Sequence, residues 1–409
     1  MKKTVLREYA KLIVRMGAKV QKGQDVVIQA GLDQPEFVAM LVEEAYKAKA
    51  RKVTVDWHYQ PLNKINVRYQ SLKTLGTVED WQKARYEHYA ETLPCRIILL
   101  SDDPDGLKGM NITKLNKANQ MTYPIMRAYR EAIDGAHQWV GCAVPGAAWA
   151  KKIFPGLRTS AAIEKLWEAI LNAARVTEGE DSIATWEAHN ADLEKRCEYL
   201  NNLKIRKLHY TADNGTDLTV GIIPGAQFVG GGHTTRQGIF FNPNIPTEEC
   251  FVTPKKGEAD GIVYSSKPLS YQGQLIDWFN IRFENGKAVE WHAQVGEENL
   301  GQMLTMDENA GYLGECALVP VTSPIAQSGL MFYNTLFDEN AACHLAVGRG
   351  FPENIPGHHE MTKEEIRELG VNDSMIHVDF MIGCDTMDID AICEDGSVVP
   401  VFRQGNWAF

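Results

Sequence analysis

The spacing of apolar residues changes partway along the chain, and that change restricts the fold more than any other feature. Up to residue 144, strand-like runs alternate with stretches of helical spacing. DVVIQA (25–30), KVTVDWH (52–58), CRIILLS (95–101) and QWVGCAV (138–144) read as strands. PEFVAMLVEEAYKAKA (35–50) reads as an amphipathic helix, and NITKLNKANQMTYPIMRAYREAID (111–134) as a helical stretch interrupted at Pro124. Such βαβ alternation predicts a mainly parallel sheet covered by helices. Two polar helical stretches, 160–176 and 180–201, lead into a different texture. KLHYTADNGTDLTVGI (207–222), FNIRFENGKAVEWHAQ (279–294) and DAICEDGSVVPVF (390–402) each set Asn-Gly or Asp-Gly between short strand-like runs. That pattern is a strong hairpin signal. A chain of 409 residues also exceeds what one hydrophobic core usually supports. The expected architecture is an α/β N-terminal domain with a mainly parallel sheet over 1–202, and a β-rich, barrel-like C-terminal domain over 203–409.

Several classes of function are disfavoured. The formal net charge is −11, and no basic run is interleaved with aromatics, so no nucleic-acid partner is expected. VGGGH (229–233) lacks the strand-to-helix context of a phosphate-binding loop. Arg7, Glu8, Lys11 and Arg15 interrupt the apolar residues of the first segment, which argues against a secretory signal. No apolar run approaches the roughly 18 to 20 residues that span a bilayer, so no membrane partner is expected. The eight cysteines (95, 142, 197, 250, 316, 343, 384 and 393) include no CxxC pair and suggest buried thiols in a reducing cytoplasm.

The chemistry concentrates in the second half. In MIHVDFMIG (375–383), strand alternation points His377 and Asp379 one way and Ile376, Val378 and Phe380 the other. This pair reads equally as a hydrogen-bonded couple or as half of a metal site, and spacing does not choose. Further imidazole and carboxylate groups stand in apolar or glycine-rich settings. They are Glu248 and Glu249 in NIPTEECFVTP, Glu315 in AGYLGECALV, and Glu339 and His344 in LFDENAACHLAVG. Together such donors suit Zn, Co, Mn or Fe. Taken singly, each acid reads as a solvated edge residue and His344 as a core histidine. Cys250, Cys316 and Cys343 adjoin these donors, so on a strand they face the opposite side and read as packing.

The segments NIPTEECFVTP, GECALV, LFDENAACHLAVG, HVDFMIG and VPVFRQGNWAF resemble, in order, the signature segments of the aminopeptidase T and aminopeptidase S family of metalloaminopeptidases. Weaker similarity runs through LVEEAYKAKARKVTVDW and PGAAWAKKIFP in the first half. The resemblance implies a cytoplasmic, homodimeric exopeptidase that acts on small peptides with two divalent metal ions, Zn, Co or Mn. It implies Glu249, Glu315, His344, His377 and Asp379 as ligands, with Glu339 as a sixth member and Glu315 as the bridging carboxylate. Glu249, rather than Glu248, matches the family's ligand in its TEE segment, and either glutamate could carry a proton to the leaving amine. Where relatives read like HLALGSAYP, this chain reads HLAVGRGFP. Phe351 therefore replaces a tyrosine and Arg349 a small residue, which bears on substrate binding because phenylalanine donates no hydrogen bond.

Two rival readings remain. His344, His377 and Asp379 alone would make the two-histidine, one-carboxylate triad of a mononuclear Fe(II) ring-cleaving dioxygenase. Enzymes that cleave hydroxypyridines look like distant relatives of the same architecture, and Glu249 with Glu315 is the discriminating feature. The other rival is a metal-stabilised binding protein without turnover.

Overall fold

Strands in the first half form where the apolar runs predict them. They are β1 (Asp25–Gly31), β2 (Lys52–His58), β3 (Cys95–Leu100) and β4 (Trp139–Ala143). All pair parallel in the order β4-β3-β1-β2, and the short strand Asn244–Ile245 extends the sheet beside β4. The longer helices are α1 (Lys3–Leu12), α2 (Pro35–Lys47), α3 (Asp80–Thr92), α4 (Ile112–Ile133), α5 (Thr159–Ala173) and α6 (Ser182–Asn202). Tyr9 of α1, Phe37 of α2 and Trp167 of α5 lock together, with ring centroids 5.3 to 6.3 Å apart. The expected break at Pro124 does not occur, and α4 runs through it. Pro124 lies on the exposed side of the helix, where loss of one main-chain hydrogen bond costs least.

The computed structural model describes residues 1–133 and 135–409, so Asp134, the end of the predicted 111–134 segment, lies outside them. Two compact units emerge, Met1–Ala188 with Gly232–Pro246, and His189–Gly231 with Thr247–Phe409. Among the described residues, no helix is long and apolar enough to cross a membrane.

The second unit is antiparallel. Its larger sheet contains β5 (Ile205–Thr211), β6 (Asp217–Ile222), β8 (Pro254–Tyr264), β9 (Gln274–Glu284), β10 (Lys287–Val295), β14 (Asp388–Cys393) and β15 (Val398–Arg403). Its smaller sheet runs in the order β13 (His377–Met381), β12 (His344–Gly348), β11 (Leu313–Leu318), β7 (Cys250–Val252), then Val229–Gly230. The three predicted hairpins are β5–β6, β9–β10 and β14–β15, and Asn285-Gly286 turns with both residues at positive φ, as a tight hairpin requires. The barrel-like expectation is corrected: among the described residues both sheets are open. They end on short edge strands and share one apolar core, in which Leu208, Tyr210 and Val220 meet Cys316, Leu345 and Phe380.

One irregularity sets the phase of the smaller sheet. Leu313 pairs with Val347 and Glu315 with Ala346, so Gly314 is an extra residue, a β-bulge. In a regular strand Leu313 and Glu315, two residues apart, would share a face. With the bulge, Leu313 enters the core while Glu315 lies on the other side, opposite Ala346. A Cβ on Gly314 would lie 2.3 Å from the Arg349 carbonyl oxygen, so only glycine fits. Gly314→Ala should therefore displace that carbonyl and lower stability by about 1 to 3 kcal/mol. Urea denaturation measures this, and an unchanged midpoint would refute the argument.

Candidate metal centre

The two faces of the smaller sheet differ completely in chemistry. Cys250, Val252, Cys316, Leu318, Leu345, Val347 and Phe380 face the core. The alternate residues face the other way, and the register aligns Glu315, Ala346 and Asp379 in one row across three strands. His344 lies two residues before Ala346, and His377 lies opposite Gly348. Phe251 pairs with Ala317 on this same face, which brings Glu249 to it at the start of β7. Ala317, Ala346 and Gly348 are small, which leaves room for the longer donor side chains between them.

Two groups of three donors result. Glu249, Glu315 and His344 each offer an atom within 4.8 Å of the others, and so do Glu315, His377 and Asp379. Glu315 belongs to both. His344 Nε2 lies 3.2 Å from Glu249 Oε2, while His377 Nε2 lies 3.0 Å from Glu315 Oε2 and 3.3 Å from Asp379 Oδ1. Both imidazoles turn Nδ1 to a main-chain carbonyl, His344 to Ala342 at 3.2 Å and His377 to Arg349 at 2.6 Å. An Nδ1–H donated to a carbonyl fixes the ring and aims Nε2 at the carboxylates, an arrangement typical of metal-ligating histidine. Asp379 Oδ1 is buried, and its partner here is the His377 imidazole. Five donors of the right type and two imidazoles with anchored rings fit a divalent cation.

The electrostatics agree. Burial pushes the Glu315 carboxyl up to about 7, with Glu249 and Asp379 adding repulsion against the opposing pull of His377. Burial and neighbouring acids raise Glu339 well above the carboxylate range. Burial opposes the His344 charge, yet Glu249, Glu315 and Asp379 outweigh it and hold His344 at about 10. His377 is raised for the same reason by Asp379 and Glu315. Asp379 is lowered: burial works against its charge, but His377 and His344 prevail. Without metal, protons on the imidazoles thus supply the positive charge.

That has a pH consequence. The His344 proton stabilises the metal-free fold fully below about pH 6.5, the ordinary imidazole value, and the contribution is lost as pH rises through about 10. A metal must displace the protons on His344 and His377, so binding at pH 7.5 should release about two protons and weaken as pH falls. Calorimetry in buffers of different ionisation enthalpy counts them; no proton release would overturn this assignment.

The remaining predicted residues are placed as follows. Glu248 is buried and stands outside both donor groups; its main-chain N–H donates to Asn340 Oδ1 at 2.7 Å. Glu339 is half-buried and also outside both groups, although it interacts electrostatically with Asp379 and Glu249. The Phe351 ring packs 4.6 Å from His377 and 5.4 Å from Phe251. Arg349 exposes its side chain and serves the site through its carbonyl. Sequence reasoning missed the carbonyls of Ala342 and Arg349, because main-chain atoms leave no residue-type signal. It also missed Thr253, whose Oγ1 accepts the Phe351 N–H at 2.7 Å, and Asp338, which accepts from the main chain of Phe332 and Asn334. Among the described residues, neither donor group contains His344 together with His377 and Asp379.

Comparison with known proteins gives one consistent picture. The family profile described as "Thermophilic metalloprotease (M29)" matches residues 2–407. Aminopeptidase AmpS of Bacillus subtilis is 40% identical over 405 residues, covering 99% of this chain and 98% of that protein. The structure of wild-type AmpT from Thermus thermophilus superposes with a TM-score of 0.90 at 38% identity, covering 100% of both chains. A 2,5-dihydroxypyridine dioxygenase from Pseudomonas putida has a TM-score of 0.52 at 12% identity over 99% of this chain and 96% of its own, a likeness of fold alone. The full-length profile match and the 40% identity establish that the chain belongs to the M29 family of thermophilic metalloproteases, hydrolases that require divalent metal.

Proposed function

We propose that the chain is a cytoplasmic, homodimeric aminopeptidase that removes N-terminal residues from small peptides, with a pair of divalent ions, Zn, Co or Mn, held by Glu249, Glu315, His344, His377 and Asp379. Catalysis resides in the β-rich domain, 203–409. The observation that carries the reading is that Glu315 belongs to both donor groups, as a carboxylate shared by adjacent ions does. When bound, such a pair of ions supplies Lewis-acid activation of a water and of the scissile carbonyl.

The protein's own groups supply the rest. The Ala342 and Arg349 carbonyls keep each Nε2 free of the Nδ1 proton, so the ligand nitrogens stay aimed at the site. Glu249 and Glu248 are the carboxylates suited to take the proton of the attacking water at a carboxylate oxygen and return it to the leaving amine. The free α-amine of a peptide is a cation or metal ligand, and the surrounding carboxylates favour it over a blocked terminus. Phe351, packed on His377, walls the site with an apolar ring and offers no donor to an oxyanion, so that charge must be met from elsewhere.

Two measurements test the proposal. Protein loaded with Zn, Co or Mn should cleave unblocked peptides and spare their N-acetylated forms; equal cleavage of both, or of neither with any metal, rejects it. Glu315→Gln should lower the bound metal per chain and reduce kcat by at least about 10²-fold; retained activity with full metal content removes the bridging assignment.

A further inference from the structure

The first unit holds a separate concentration of charge in an unusual layer. Helices α3 and α4 lie over one face of the parallel sheet, yet α3 buries no residue and α4 buries only Ala118. A helix normally stays on a sheet by burying an apolar stripe. Here polar and aromatic groups stand beside a few apolar ones, Val27, Met126 and Ile133. Gln29 of β1, Asp56 of β2 and Arg96 of β3 line the floor of a cavity of about 180 Å³. Trp81, Arg85 and Tyr86 of α3, with Tyr129 and Arg130 of α4, complete its walls. Tyr86 stacks on Tyr129 at 5.7 Å.

The charges in this cavity do not balance. Three guanidinium groups line it against one carboxylate, Asp56, which already pairs with Arg85. Arg96 Nη2 donates to the neutral Gln29 Oε1 at 2.9 Å. Burial lowers the Arg96 pKa, opposed by Tyr86 and Tyr89 and reinforced by Arg130 and Arg85. A half-buried guanidinium with an amide partner and two cations nearby retains donors for an anion.

We propose that this cavity binds a small organic anion, a carboxylate carried on a planar apolar body, which ties α3 and α4 to the sheet. The Arg96 guanidinium presents the fork that matches a carboxylate, with Arg130 supplying the second positive charge. The Trp81 and Tyr86 rings offer a wall for a flat apolar group. The volume suits a body of one or two rings, since a cavity of about 150 Å³ takes benzene. A carboxylate is favoured over a phosphate because a monoanion loses less hydration on entering a half-buried cavity. Nothing in this assignment depends on the metal centre.

The test uses the full-length protein with phenylacetate and indole-3-acetate as probes, measured by calorimetry and by amide hydrogen exchange. Phenylacetamide, acetate and phenyl phosphate are the comparison compounds. Both aromatic carboxylates should bind, and added exchange protection should fall in α3 and α4. The amide, acetate and phenyl phosphate should bind at least about tenfold more weakly. Arg96→Gln should weaken phenylacetate by at least about tenfold. Arg130→Gln, at an exposed position, should weaken it as well and keeps the test decisive if the first variant unfolds. The proposal is overturned if no carboxylate binds at millimolar concentration, or if the amide binds equally well. Tighter binding of phenyl phosphate, protection confined to other elements, or unaltered affinity in Arg130→Gln overturns it too.

Discussion

Like charges crowded on one buried face of a sheet repel strongly, and most of the second unit can be understood as the means of holding them there. Glu249, Glu315 and Asp379 meet His344 and His377 with little water to screen them. The opposite face of the same strands is fully apolar and anchors them in the core. Small residues at Ala317, Ala346 and Gly348 give the donors room, and two main-chain carbonyls fix the imidazoles. The cluster is thus built at the expense of local stability and waits for positive charge, which protons supply when no cation does.

The fold alone does not dictate that chemistry. A dioxygenase with 12% identity has the same architecture, so the overall likeness says little about reaction type. The difference lies in side chains. Glu249 and Glu315 extend the donor set beyond what a single iron needs, and pairing with Ala346 sets Glu315 on the donor face. The bulge lets Leu313 and Glu315, two residues apart in β11, take opposite faces, one in the core and one in the donor cluster.

The two units illustrate opposite electrostatic imbalances. The second gathers excess negative charge on an otherwise well-packed sheet. The first gathers excess positive charge beneath two helices that bury almost nothing. In both places the structure forgoes apolar packing or charge neutrality, the two things a purely structural interior would be expected to keep. That shared departure is why both are read as binding sites.

Much of the architecture was legible in the chain. Period-two and helical spacing located β1 to β4 and helices α2, α4, α5 and α6, and Asn-Gly and Asp-Gly marked the hairpins, because local backbone preferences govern those features. The same alternation placed His377 and Asp379 on one side of their strand, and set Cys250 and Cys316 with the core. Closure of the sheets was misjudged, since hairpins alone do not say whether the edges of a sheet meet. Pro124 was misjudged as well, because a proline on an exposed helical face can be accommodated. Apolar settings marked Glu249, Glu315 and His344 as candidates, and resemblance to known sequences assigned them as ligands. Only the tertiary structure decided that strands separated by tens of residues bring Glu249, Glu315, His344, His377 and Asp379 within reach, and that main-chain carbonyls orient the imidazoles. Strand register and bulges arise from pairing between distant segments, and no local pattern encodes where those segments meet.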